Sequence, residues 1–105
     1  MDNETCNVEG DIEFNDLPSD EELDKKANVF KAISDPTRLK ILYLLKDTEL
    51  CPCQIQDALN KPQPTISHHV SILKNANLIK GRKDGIWIYF TLVNNDIIET
   101  LDLIV

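Results

Sequence analysis

The stretch that decides the fold is PQPTISHHVSILKNANLIKGRKDGIWIYFTL, Pro62 to Leu92, because the hydrophobic period changes inside it. Up to Leu78 the apolar residues recur at helical spacing. Ile66, Val70 and Leu73 share one face with His69, while Thr65, His68, Ser71 and Lys74 lie on or beside the opposite one. Beyond it the pattern becomes strand-like. LIKGRK and IWIYFTL flank Asp84–Gly85, a dipeptide suited to a two-residue hairpin turn. The spacing therefore predicts a helix from near Gln63 that feeds directly into a β-hairpin.

Working outward, CPCQIQDALNK (Cys51–Lys61) predicts a short helix with Pro52 at its first position and Ile55, Ala58 and Leu59 inward. A break at Lys61–Pro62 separates it from the next helix. SDPTRLKILYLLK (Ser34–Lys46) offers Asp35 as cap and Pro36 as first helical residue. Leu39, Ile41, Leu42, Leu44 and Leu45 make it apolar most of the way round, which places it at the centre of the core. SDEELDKKANVFKAI (Ser19–Ile33) starts on Ser19 and carries the stripe Leu23, Ala27, Phe30 and Ile33; NNDIIETLDLIV groups Ile97, Ile98, Leu101 and Ile104. The resulting order is helix, helix, short helix–turn–helix, hairpin, helix. This is a mainly α fold with a small β-hairpin wing, the winged helix-turn-helix, an architecture that binds DNA. A domain this small cannot cover the stripes on both its first and last helices, so these are expected to meet their copies in a homodimer.

Charge distribution supports the same partner. The formal net charge of the 105-residue chain is −7, but residues 1–24 hold ten acidic and no basic side chains, whereas residues 25–105 hold eleven basic and eight acidic ones. An acidic leader over residues 1–18, without fixed structure, thus masks a mildly basic domain over residues 19–105. No apolar run approaches a membrane span and the N-terminus is not signal-like, so a soluble, cytoplasmic protein without a membrane partner is expected. The absence of a carboxylate pair, a Ser/His/Asp set, a C-x-x-C or a phosphate-cradling glycine loop argues against an enzyme. A winged helix used only for protein interaction is the other non-enzymatic reading; it would lack a basic surface around Gln63–Lys74 and Arg82–Lys83.

Within the DNA-binding reading, the residues expected at bases and phosphates of a major groove are Gln63, Thr65, Ser67 and His68. Lys61 and Lys74 are expected at phosphates, and Arg82 and Lys83 of the hairpin at the backbone or minor groove. Ser71 and Lys80 read as ordinary solvated residues. His69, in the buried phase, reads as a packing and hydrogen-bonding residue, and its ring diverges from that of His68, so the two do not share an ion.

Cys51 and Cys53 raise a separate question. Residues two apart on a regular helix point to nearly opposite sides, so this pair binds one ion only if the helix starts between them, with Cys51 in cap geometry. Pro52 favours that arrangement, since it fixes its own backbone and disfavours helix at the residue before it. A helix N-terminus also lowers a thiol pKa, giving the thiolate that soft ions require. As(III), Sb(III), Cd(II), Pb(II) and Zn(II) are the candidates. Thiol redox sensing and semi-buried structural cysteines are the other two readings of the pair.

DPTRLKILYLL, ELCPCQI, QPTISHHVSILKNANLI and GRKDGIWIYF, in this order and spacing, resemble the ArsR/SmtB family of metal(loid)-responsive repressors over roughly Lys25 to Thr100. The resemblance implies a dimeric winged-helix repressor that leaves its operator when an inducer binds, with no obligatory cofactor. It also implies that C-x-C at this place belongs to the arsenic- and cadmium/lead-sensing branches. The arsenic branch adds a cysteine one turn later, where this chain has Gln56. The cadmium/lead branch completes its site with cysteines of the partner's N-terminal extension, where this chain has Cys6. The implied metal set is therefore Cys51, Cys53 and Cys6, with As(III)/Sb(III) or Cd(II)/Pb(II) as inducer. The family's site on the last helix is not expected: Asn94 and Asp96 occupy part of the place and no histidine follows.

Overall fold

Helix boundaries in this chain are set by caps that the computed structural model makes explicit for residues 16–105; residues 1–15, with Cys6 and most of the expected acidic leader, lie outside the described residues. Helix α1 spans Asp20–Ile33 and opens with Ser19 Oγ accepting from the Glu22 N–H at 3.2 Å. Helix α2, Pro36–Leu44, opens with Asp35 Oδ2 accepting from the Arg38 N–H at 3.0 Å, and Pro36 occupies the first turn, where no N–H is needed. Helix α3 spans Pro52–Leu59 and α4 spans Gln63–Asn75. Asn60, the C-cap of α3, lies in the left-handed region at φ 52°, and Asn77, the residue after the Ala76 cap of α4, also takes a positive φ of 61°. After α4, the Leu78 N–H reaches the Leu73 carbonyl and the Asn77 N–H the Lys74 carbonyl, each at 3.0 Å, which satisfies carbonyls the helix leaves open. Strands β1 (Ile79–Asp84) and β2 (Trp87–Leu92) form the antiparallel wing, and α5 spans Asp96–Ile104.

The core is one cluster. Ile41, Leu42 and Leu45 of α2 stand at its centre, flanked by Ile55 of α3, Ile66, Val70 and Leu73 of α4, Ile79, Phe90 and Leu92 of the wing and Ile98 of α5. Leu39 and Leu44 sit half-buried at the margin of the central helix. Ala58 is exposed, contrary to the sequence expectation. In a two-turn helix, Ile55 and Leu59 take the inward positions four apart, and a residue three on from Ile55 falls at the edge. Much of the α1 stripe is uncovered within the chain, with Leu23 and Phe30 exposed, and so is Ile104 of α5.

Two features of the wing differ from, or add to, the sequence reading. Asp84 pairs with Trp87, so the turn residues are Gly85–Ile86 and not Asp84–Gly85. Gly85 has φ 63°, the conformation that the first central position of a type II′ turn reserves for glycine. In addition, Leu50 forms a bridge to Phe90: the Phe90 N–H donates to the Leu50 carbonyl at 2.8 Å and the Leu50 N–H to the Phe90 carbonyl at 3.1 Å. The residue immediately before Cys51 is thereby tied to β2 by an isolated antiparallel bridge beside the two-stranded wing.

Candidate nucleic-acid interface and thiol site

Helices α3 and α4, joined through Asn60–Lys61–Pro62, form the helix-turn-helix. Because Ile66, Val70 and Leu73 anchor α4 to the core, the helical period turns Gln63, Pro64, Ser67, His68, Ser71, Lys74 and Asn75 outward. Thr65 and Lys61 are half-buried at the flank. Ser71, which the helical period places on this face but which reads from sequence as an ordinary solvated residue, stands exposed between His68 and Lys74. No acidic side chain occurs between Asp57 and Asp84, whereas Lys61, Lys74, Lys80, Arg82 and Lys83 do. Outward residues of this kind are small, hydrogen-bonding or cationic, the chemistry suited to base edges and phosphates.

Behind that face, one arginine positions α4 against two other helices. Arg38 Nε donates to the Ala32 carbonyl at 2.6 Å and Nη2 to the Lys31 carbonyl at 3.4 Å, closing the C-terminus of α1. Its Nη1 lies 3.0 Å from His69 Nδ1, and Asp35 Oδ2 lies 3.9 Å from the same ring nitrogen. Arginine only donates, so Nδ1 is the acceptor and the imidazole is neutral with its proton on Nε2. Burial accordingly holds the His69 pKa below its ordinary 6.5, with Arg38, His68 and Lys61 acting in the same direction and Asp35 against it. This confirms the structural role expected of His69, while Arg38 itself was not singled out from sequence.

The sign of the pH dependence follows. Unfolded His69 binds a proton near pH 6.5 and folded His69 resists it, so this stabilisation is complete above about pH 6.5 and is lost as pH falls below that value towards the lowered folded pKa. Asp35, whose carboxyl is held below its usual 3.8 chiefly by the Arg38 N–H, acts in a separate and more acidic window. Thermal melts across about pH 5–7.5 are expected to show the midpoint falling with acidification and His69→Gln flattening that slope.

Arg82 is already engaged in the wing. Its Nη2 donates to Glu49 Oε1 at 2.6 Å and its Nε to Glu49 Oε2 at 3.2 Å; Asp84 lies 3.9 Å away and the guanidinium carbon sits 5.2 Å from the Tyr89 ring centroid. Lys83 is exposed and lies among no ion pairs of the described residues. Glu49 is 33 positions from Arg82, and nothing local in the sequence signals their meeting.

The thiol pair has the predicted geometry. Cys51 is the N-cap of α3 (φ −81°, ψ 160°), Pro52 is the first helical residue, and the two Sγ atoms lie 2.8 Å apart. The Gln54 side chain holds the bend by accepting from the Cys51 N–H at 2.9 Å. Cys51 is buried and Cys53 exposed. The Cys53 thiol donating to it, followed by the Gln54 N–H at the helix start, pushes the Cys51 pKa down; the same contact pushes Cys53 up. The shared hydrogen bond thus favours ionisation of the capping sulfur over that of Cys53. Among the described residues no third histidine, cysteine or carboxylate joins them in a metal-sized group. Cys6 lies outside the described residues.

A helix-turn-helix whose second helix carries no acidic side chain, followed by a basic hairpin, is the architecture of a winged helix-turn-helix DNA-binding regulator. The family model described as "Bacterial regulatory protein, arsR family" matches residues 35–80, and the chain belongs to the ArsR family of transcriptional regulators. It is 48% identical over 85 residues to an uncharacterized HTH-type transcriptional regulator of Methanocaldococcus jannaschii, covering 80% of this chain and 96% of that protein. It is 38% identical over 81 residues to an arsenical resistance operon repressor of Staphylococcus aureus, covering 74% and 78% respectively. Among solved structures, the homodimeric winged helix-turn-helix DNA-binding domain Mb0332 of Mycobacterium bovis, a possible ArsR-family regulator, superposes with a TM-score of 0.73 at 30% identity over 83% of each chain. No helix among the described residues is long and apolar enough to cross a membrane.

Proposed function

We propose that this ArsR-family protein is a homodimeric, cytoplasmic repressor that leaves its operator when As(III), Sb(III), Cd(II) or Pb(II) binds cysteine thiolates. The observation that carries this reading is the convergence of Cys51 and Cys53 Sγ, 2.8 Å apart across the start of α3, with charge favoured on Cys51. Two sulfurs are an incomplete set for such ions, and Cys6 is the one remaining thiol of the chain, so it is the proposed third ligand. Gln63, Thr65, Ser67, His68 and Ser71 would face bases and nearby phosphates. Lys61, Lys74, Arg82 and Lys83 would take phosphates. The second copy would cover the exposed apolar residues of α1 and α5, Phe30 and Ile104 among them.

Helix α3 underlies α4, so an ion that fixes the start of α3 changes the support of the reading helix. Release requires the ion to prefer the DNA-incompetent state, by about 1–3 kcal/mol for an ordinary coupling. The test is a titration of the reduced protein on its operator with As(III), Cd(II) and a mild oxidant in separate arms. Release by the ions at about one per thiol set supports the reading. Release by the oxidant alone transfers the function to thiol redox sensing, and binding without release removes the coupling.

A further inference from the structure

We propose that Glu49 is a built-in competitor for DNA phosphate at Arg82, and that the segment Glu49–Leu50–Cys51 carries the state of the thiol pair to the wing. The inference rests on the repressor reading above and assigns its regulation to one positioning residue.

The geometry of the pair is the first support. Glu49 offers Arg82 two carboxylate oxygens, at 2.6 and 3.2 Å, in the bidentate arrangement that a phosphate would also adopt. Both side chains remain part-exposed, 53% for Arg82 and 40% for Glu49, so the pair is accessible to a competing anion. An exposed ion pair is weak, and a phosphate contact adds the release of condensed counterions, so exchange towards DNA is feasible. Arg82 has no second oxygen of comparable quality, since Asp84 lies 3.9 Å away.

The three-residue segment supplies the second support. Glu49 holds the wing arginine, Leu50 is bonded on both sides to Phe90 of β2, and Cys51 caps α3 beside Cys53. Consecutive residues fixed in this way move together. An ion that locks Cys51 also fixes the Leu50–Phe90 rung and keeps Glu49 on Arg82, withholding one phosphate contact per protomer. An empty thiol pair leaves the segment free to yield Arg82 to DNA.

The experiment compares wild type, Glu49→Gln, Arg82→Ala, the double variant and Asp84→Asn on a duplex selected with the wild-type protein from a randomised pool, across a salt series. Glu49→Gln is expected to tighten binding about two- to tenfold, the range for opening two exposed pairs per dimer. It should also steepen the plot of log affinity against log salt by roughly one to two, one added phosphate per wing. Neither gain should occur in the Arg82→Ala background, and Asp84→Asn, an equal charge change, should give the smaller effect. Unchanged or weaker binding by Glu49→Gln, or the same gain without Arg82, overturns the competition. Cd(II) is the probe for the link: it should release Glu49→Gln less completely than wild type, and equal release overturns the link. A wild type that ignores Cd(II), As(III) and oxidant alike removes the inducer reading instead, and the salt series still decides the competition.

Discussion

Cys51→Ser is expected to abolish ion-induced release of the operator while leaving the fold and the ion-free operator affinity intact. Position 51 is the N-cap of α3, and serine is among the best N-cap residues, so the substitution keeps or improves the cap and changes only the sulfur. The lost group is the thiol whose pKa the Cys53 hydrogen bond lowers, and a hydroxyl does not ionise in its place. Loss of one thiolate from a small chelate is expected to weaken ion affinity by on the order of 100-fold or more. Cys53→Ser acts differently. It removes the thiol whose hydrogen bond lowers the Cys51 pKa, so ion affinity falls both by a ligand and by a harder deprotonation of the sulfur that remains. The pH dependence is fixed in sign. Cd(II) or Pb(II) displaces the thiol protons on binding, so wild-type affinity for these divalent ions rises with pH and protons are released, with Cys53, whose pKa is raised, the harder of the two to deprotonate. Ion titration monitored by thiolate absorbance and by operator release, at several pH values, checks each part. An inducer response that survives in Cys51→Ser is incompatible with the thiol site.

Ile66→Ala is expected to cost a large share of the domain's stability. Ile66 has no exposed surface, and it joins α4 to the cluster built on α2 and α3. Truncating a fully buried isoleucine removes its transfer energy and leaves a cavity, about 2–5 kcal/mol in all. Small domains have roughly 5–15 kcal/mol of stability, so a large fraction is lost. Ser67→Ala, one residue along and exposed, is expected to move stability by less than about 0.5 kcal/mol while weakening operator binding. Denaturant melts and operator titrations on the two variants separate packing from reading. Ile66→Ala should shift the melt and Ser67→Ala the binding curve. Equal melts would mean that Ile66 does not anchor α4.

The helical and hairpin periods between Pro62 and Leu92 were legible because amphipathic pattern is a local property, and so were the caps Ser19, Asp35 and Cys51 and the bend at Pro52. The misplaced elements were equally physical. The pattern places Ala58 inward because a short helix has too few residues for its phase to be fixed by pattern alone. The hairpin turn slipped by one residue because Asp84–Gly85 and Gly85–Ile86 both place glycine where a turn accepts it, and pairing of Asp84 with Trp87 chose between them. Arg82 was correctly read as a basic wing residue, but its bond to Glu49 depends on two segments meeting in space.

By itself, then, the sequence determined which segments are helical, which face of each is apolar, where the acid-free stretch from Ala58 to Lys83 lies, and that two cysteines flank a proline at a helix start. Those properties follow from interactions among residues a few positions apart. Tertiary structure alone decided that Arg38 joins α1, α2 and His69, that Leu50 bridges to Phe90 of the wing, and that Glu49 occupies Arg82. Such contacts exist only once packing around Ile41, Leu42 and Leu45 has fixed where distant backbones run, and no local preference encodes them.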